Sequence, residues 1–363
     1  MIGDKLKKII PPPVYLKMSA IGLDISDRSI KYAELAKKGD FFELARFGRT
    51  VLPEGLLQSG EIKNAPELKK FLKSVFKDLS GSSIIISLPE ERAFVELVSL
   101  PKISEEDIRG ALELQIDEHI PLPAEEAIFD YEIVHGSGGD HVDVEVVAFP
   151  KKLVESYVEI VRDIGLMPIA AEMEAEALSR SVIPLDFTDT AMIVDFGRTR
   201  SSFIIVSSGV VRFTSTVKVA GEALDEALAK SFSVGLFEAE RIKKEKGFVR
   251  TKENQEVFNT LLPVVSAICD EISRYLGYWK NHAEHVHNSS GKSEVGQIFL
   301  SGGDVNLIGL SEYLTYKLKL PVKLANPWAN ISYSKNYVPE ISYKESLSYA
   351  TALGLAIRVI QHD

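Results

Sequence analysis

The chain has 363 residues, 45% of them hydrophobic and 26% charged, with a formal net charge of −10. That length carries two or three folding units with real cores, and the acidic balance argues against wrapping a nucleic-acid backbone, which takes clustered Lys and Arg. A single cysteine excludes an internal disulfide and points to a reducing compartment, while no apolar run approaches the roughly 18 residues of a membrane span and no secretory segment opens the chain.

Residues 1–18 are basic and contain three consecutive prolines. Two readings fit them, a short amphipathic anchor on an acidic membrane surface and a frayed terminus, and the second is favoured. Residues 20–35 then read as an apolar strand ending at Asp24, a polar turn Ser26-Asp27-Arg28-Ser29, and a second strand. A third strand is expected over 41–50, a loop over 52–60, a helix over 65–79 from the spacing of Leu68, Leu72 and Phe76, and a buried strand over 83–88.

Between Glu90 and Gly165 the pattern is strand, helix, strand, strand, helix, which predicts a compact inserted module. Its strands fall at 93–100, 127–134 and 142–149, the last two around a glycine-rich turn at 136–139, and its helices at 104–119 and 151–164. The acidic residues Asp117, Glu118, Glu125 and Glu126 read as a solvated helix end rather than an acid–base pair. A strand at 167–172 and a helix at 174–182 follow.

Residues 191–217 repeat the opening layout: a strand running into Asp195, a turn with Gly197, and two further strands around Ser208-Gly209. Laid over each other, Asp24 meets Asp195, Ser26 meets Gly197 and Tyr32 meets Phe203, an internal repeat that predicts two similar domains. A carboxylate at the end of a buried strand is costly unless something cationic uses it, and the amides of a tight polar turn suit phosphate oxygens. Two such hairpins across a cleft predict one nucleotide between them, with Mg²⁺ held by the carboxylates and the phosphates.

Helices are expected over 221–232 and 238–246. In the second, Glu240 and Lys243 lie one turn apart, and both a surface ion pair and a contact to ribose and base fit that spacing. A long helix spans 256–285, with a kink or break expected at Pro263. Cys269 within it, flanked by Ala267, Ile268 and Ile272, reads as a core thiol. The helix ends in His282, His285 and His287, read as solvated rather than metal-binding. Gly291-Lys292-Ser293 is not a P-loop, since Val286 stands where that motif needs glycine. Over 297–318 a strand runs into Ser301-Gly302-Gly303 and a helix begins near 304–308, whose N-terminus favours anions. A short strand at 321–322 and a final helix over 345–360 complete the chain.

The order of Asp24 hairpin, Asp195 hairpin, AERIK helix and SGGD turn resembles the actin, Hsp70 and hexokinase ATPase superfamily. The inserted module resembles its FtsA-like branch, and ELQIDEHIPLPAEEAIFDYEIV with the AEMEAEALSR helix resembles the PilM family of type IV pilus assembly proteins. The likeness covers nearly all of residues 19–363. It implies an α/β, bilobed actin-like (ribonuclease H-like) fold with an FtsA-type inserted subdomain. The first lobe core would take 19–89, 166–190 and 340–363, the insert 90–165, the second lobe core 191–220 and 296–339, its helical part 221–295, and residues 1–18 a tail.

The same resemblance implies ATP and Mg²⁺ as cofactors. Asp24 and Asp195 would organise the metal, with Ser26, Ser29 and Lys31 on the first phosphate hairpin and Gly197, Thr199 and Arg200 on the second. Glu240 and Lys243 would line ribose and base, Gly302, Gly303 and Asp304 the nucleoside, and Glu174 the attacking water. Ser26 and Asp304 depart from the glycines usual at those places. As partners it implies the cytoplasmic N-terminal peptide of a PilN-like membrane protein, seated between the first domain and the insert, together with pilus platform and motor proteins. It also implies a cytoplasmic protein reaching the inner membrane through its partners, with homo-oligomers possible and with slow turnover of ATP or none. A small-molecule kinase is the main alternative, but no isolated catalytic Asp stands beyond Asp24 and Asp195. An FtsA-like filament protein is the other, and it would carry a C-terminal amphipathic anchor where this sequence has a core-like helix.

Overall fold

In the computed structural model, which describes residues 19–134, 140–282 and 294–361, the two aspartate-bearing stretches fold into matching hairpins. Strands β1 (Ile21–Ile25), β2 (Ser29–Lys38) and β3 (Phe41–Val51) form an antiparallel meander. After a two-residue hairpin, β4 (Leu57–Gln58) and β5 (Glu61–Ile62), helix α1 (Ala65–Val75) starts where Glu67 N donates to the Asn64 side chain at 3.2 Å. Strand β6 (Ser83–Leu88) then pairs parallel to β1. Both β1 and β6 are buried along their whole length, and apart from Asp24, Ser83 and Ser87 they are apolar, as strands covered on two faces are.

The insert follows as β7 (Phe94–Pro101), α2 (Glu105–His119), β8 (Ala127–Ile133) and β9 (His141–Pro150). Its three strands pair in the order β7-β9-β8 and bury Val98, Leu100, Val144 and Val146 against Ile108, Leu112 and Ile116 of α2, a core of its own. Helix α3 (Lys151–Asp163), grouped with the insert from its sequence, instead places Leu153, Tyr157, Ile160 and Val161 in the large core of the main body. Strand β10 (Met167–Met173) joins β6 in parallel, and helix α4 (Glu174–Val182) leads away from it.

The second half repeats the plan. Strands β11 (Thr190–Phe196), β12 (Ser201–Ser207) and β13 (Val210–Val217) form the meander. Helices α5 (Gly221–Phe232), α6 (Leu236–Lys246) and α7 (Gln255–His282) cross over to β14 (Val295–Ser301), and α8 (Leu310–Leu318) to β15 (Val322–Leu324). The first sheet runs β3-β2-β1-β6-β10 and the second β13-β12-β11-β14-β15, so the same strand order occurs twice. The register repeats as well: Asp24 faces Lys31 across its hairpin, and Asp195 faces Ser202 at the equivalent place.

Three expectations are corrected. The helix after the Ser301-Gly302-Gly303 turn begins at Leu310, not near residue 304, because Gly302 N donates to Leu347 O (3.0 Å) and Asp304 N to Phe196 O (3.2 Å) before any helix can start. The final helix is divided into α9 (Tyr343–Ser346), a 3₁₀ turn (Leu347–Tyr349) and α10 (Ala350–Gln361). Helix α7 passes Pro263 without a break; Asn259 and Pro263 are both exposed, so water can take up the carbonyl that proline leaves unbonded. The tail 1–18, the turn 136–139, the His282 side chain, His285, His287 and the tripeptide 291–293 lie outside the described residues.

Helix α10 closes the first lobe by lying against β1 and α4 at two glycines. A Cβ on Gly22 would lie 2.2 Å from Ala352 O, and one on Gly354 only 1.7 Å from Ala177 O. Backbone meets backbone there, so no side chain can yield. Gly354→Ala is expected to destabilise the protein by about 2–3 kcal/mol or prevent folding. Urea unfolding that places the variant within about 0.5 kcal/mol of wild type would show that α10 packs more loosely than this.

Candidate functional site

Both hairpins open onto one cleft between the sheets, and their turns are built alike. Ser26 N donates to Ser29 O at 2.9 Å in the first, and Gly197 N to Arg200 O at 3.1 Å in the second. In the first turn the Ser26 hydroxyl also donates to Ser29 O (2.9 Å), a bond that Gly197 cannot make. Ser26, Ser29, Gly197 and Thr199 all line the cleft.

Asp24 is buried at the end of β1 and held from two sides. Lys31 Nζ donates to its Oδ2 and Ser87 Oγ to its Oδ1, each at 3.2 Å. Asp195 stands at the equivalent place on β11 and also lines the cleft. Burial pushes its carboxyl up to about 6; Lys31 opposes the rise and Asp24 adds to it. Lys31 is therefore the cation shared by two carboxylates from different lobes.

Glu174, the first residue of α4, reaches the cleft from the first lobe. Both its oxygens accept from Arg200 Nη2 at 2.9 Å, so the arginine expected at phosphate is bound to carboxylate instead. Burial lifts the Glu174 carboxyl above its usual range, with Arg200 opposing and Glu90 and Asp24 adding to it. Arg28 ties the lobes a second time, donating to Glu222 of α5 at 3.0 Å.

On the second-lobe side the cleft is lined by Glu240, Gly302, Gly303 and Asp304. Gly302 has φ +101°, and a Cβ on it would lie 2.5 Å from Phe196 O and 2.7 Å from Asp195 Oδ1, so this turn packs directly on the second hairpin. Glu240 pairs with Lys244 at 2.7 Å, and Lys244 lines the cleft. Lys243 does not line it: the side chain lies beneath, within 2.6 Å of Asp304 and 2.8 Å of Asp225. Of the residues singled out from the sequence, Lys243 alone is missing from the cleft lining.

Sequence reasoning overlooked Arg28, Glu90, Glu91 and Glu222. Glu90 and Glu91 follow Pro89 directly after the buried strand β6, the same signal that marked the two aspartates. Glu90 is buried, and desolvation raises its carboxyl to about 7, with Ser202 and Arg200 opposing and Asp195 adding to the rise. Among the described residues, no three or more His, Cys, Asp or Glu are grouped to hold a metal. A cation here would take Asp24 and Asp195 plus oxygens from a ligand. Lys31 and the hydroxyls of Ser26, Ser29 and Thr199 line the cleft, donors of the kind that a phosphate chain takes. The cavity volume, about 170 Å³, is below the roughly 300–1,000 Å³ of small-molecule sites, so the cleft as it stands is narrow.

Solved structures share this architecture. The PilM–PilN type IV pilus biogenesis complex aligns with a TM-score of 0.77 and 21% identity over 95% of this chain and 99% of that one. MreB5 of Spiroplasma citri bound to AMPPNP gives 0.56 and 15% over 97% and 98%, and the ethanolamine utilization protein EutJ of Carboxydothermus hydrogenoformans 0.53 and 15% over 96% and 90%. The repeated sheet and these likenesses define the class, a protein of the actin-like ATPase fold. The family model described as type IV pilus assembly protein PilM matches residues 22–360. The chain belongs to that family.

Glu90 carries a test of the site's electrostatics. Its folded-state pKa lies above its unfolded value, so the native protein binds the extra proton between about pH 4.5 and 7, and the stability it contributes declines as pH rises through that window. Glu90→Gln should therefore flatten the decline by on the order of 1–3 kcal/mol. Parallel pH–stability curves for variant and wild type would mean Glu90 is ionised throughout.

Proposed function

We propose that this chain binds ATP with Mg²⁺ between its lobes and acts as a nucleotide-dependent interaction protein of a type IV pilus platform. In this reading it docks the cytoplasmic N-terminal peptide of a PilN-like membrane protein and links the platform to its motor. The observation that carries the nucleotide reading is the convergence of Asp24 and Asp195, on hairpins of identical register, in one cleft. A fold relative solved with AMPPNP supports it. When bound, Mg²⁺ would neutralise phosphate charge; Asp24 and Asp195 would orient it, Lys31 would balance both carboxylates, and Ser29 and Thr199 would donate to phosphate oxygens, with Ser26 joining them on giving up its bond to Ser29 O. Glu240, Asp304 and the Gly302-Gly303 turn would face the nucleoside. Glu174 would stand near an attacking water; both its oxygens accept from Arg200 Nη2.

The peptide reading rests on a second cavity. A groove of about 440 Å³ lies between the insert and the first lobe, walled by β8 and β9 on one side and by β10, α3 and α4 on the other. Ile128, Phe149, Val154, Ala171 and Met173 give it an apolar strip beside charged side chains such as Glu172, Arg180 and Arg358. Strand β8 is an edge of its sheet, so an extended peptide can add main-chain hydrogen bonds there while side chains fill the groove. Burial raises Glu145 to about 8 and Glu176 to about 7, against the opposing charges of Arg212 and Arg180, so these two carboxyls hold their protons more readily than exposed ones. The solved PilM–PilN complex supports a partner of this kind. Among the described residues no helix is long and apolar enough to cross a membrane, and a single-span partner would supply that contact.

Asp195→Ala should weaken Mg-ATP binding at least tenfold by calorimetry, with a smaller effect on ATP in EDTA; equal Mg-ATP affinity would defeat the two-hairpin reading. For the groove, charge reversals and bulky changes at Ile128, Asp130 and Glu132 should abolish pull-down of a PilN-like N-terminal peptide and leave Mg-ATP binding intact. Peptide retained after all three changes would place its site elsewhere.

A further inference from the structure

Arg200 leaves the turn of the second hairpin and crosses to the first lobe, where three carboxylates receive it. Glu174 takes Nη2 at 2.9 Å, Glu91 takes Nη1 at 3.1 Å, and Asp27 lies 3.8 Å from Nη1. The arginine side chain is only 13% exposed, so these contacts are poorly screened by water. Burial alone would lower its pKa, yet the surrounding carboxylates, Glu174 first, raise it above the ordinary value.

The Asp27 carboxylate is fixed without help from Arg200, and the backbones that carry Glu91 and Glu174 are fixed by their own elements. Asp27 accepts from the backbone amides of Ser59 (2.9 Å) and Gly60 (3.1 Å). Glu91 sits in the 3₁₀ turn Glu90–Arg92, which Arg92 ties to Ser59 O at 2.9 Å. Glu174 is held at the start of α4. The first lobe thus presents a prebuilt receptor for one guanidinium, with more negative charge than that guanidinium cancels. The same arginine lines the cleft, whose volume of about 170 Å³ is below that of most small-molecule sites. Glu91 lines no part of that cleft among the described residues.

We propose that Arg200 is a strut between the lobes which a nucleotide's phosphates must take from Glu91 and Glu174, so that Glu91 sets the affinity of a site it does not touch. This rests on the nucleotide reading above. Phosphate is a strong bidentate acceptor for guanidinium, and each carboxylate abandoned by Arg200 is left unpaired in a poorly solvated place, which opposes the transfer. Neutralising Glu91 removes one competitor for the arginine and leaves the cleft lining unchanged. Nucleotide binding then carries a second consequence: release of Arg200 frees Glu174, and the two lobes exchange a direct ionic link for one made through the ligand.

The test is calorimetric titration of the full chain with Mg-ATP, for wild type, Glu91→Gln, Arg200→Ala and the double variant. Glu91→Gln should bind roughly fivefold more tightly than wild type, the scale of one ion pair. In the Arg200→Ala background the same change should give no gain. Unchanged or weaker binding by Glu91→Gln overturns the strut. So does a gain that persists without Arg200, since it would come from relief of negative charge alone. Should Glu91→Gln fail to fold by circular dichroism, Asp27→Asn, which keeps an acceptor for the Ser59 or Gly60 amide, must show the gain in its place. Wild type that binds no Mg-ATP defeats the nucleotide reading itself, a different outcome from either of these.

Discussion

Two carboxylates from different lobes face one cleft, and two cations let the lobes close around them. Lys31 bonds Asp24 and moderates Asp195, while Arg200 crosses from the second hairpin to Glu174, Glu91 and Asp27. Without those cations the facing walls would carry six carboxyl groups, counting Glu90, with little solvent to separate them. Buried charge of this kind adds little net stability, because desolvation offsets most of the attraction. Its worth lies in leaving the cleft electrostatically poised, so that a bound anion or cation redistributes the pairs already there. Structural carboxylates and candidate ligand groups are here the same residues.

The groove beside the insert and the cleft share a wall. Glu172 and Glu176 line the groove while Glu174, between them, lines the cleft, so the junction of β10 and α4 has one face in each. Arg180 and Arg358 hold Glu172 from α4 and α10. From the other lobe, Arg212 on β13 reaches Glu145 on the groove floor at 3.1 Å. The insert is therefore tied to the second lobe through the meander that carries Asp195, as well as to the first through its chain ends. A peptide and a nucleotide would be held on opposite sides of one short, rigid segment.

Much of this was legible in the sequence because the signals were local and repeated. Asp24 and Asp195 each end an apolar run before a polar turn, and a repeat at that spacing predicts two like sheets without knowledge of any contact. The buried strands, the insert and most helices followed from period and punctuation. What escaped depends on contacts between distant segments. The helix after Gly303 starts late because Gly302 and Asp304 spend their amides on Leu347 and Phe196, far away in sequence. Lys243 has the spacing of a cleft residue, yet Asp225 and Asp304 hold it beneath the surface. Arg200 is expected at phosphate by the family resemblance. Only the fold reveals the three carboxylates that claim it.

The central claim is that one ligand touches both hairpins at once, and amide hydrogen exchange tests it most directly. Adding Mg-ATP should slow exchange at residues 26–29 and at residues 197–200 together, with the same dependence on ligand concentration. Protection of one turn alone, or of neither, would contradict the account: the repeated hairpins would then be a relic of the fold rather than two halves of one site.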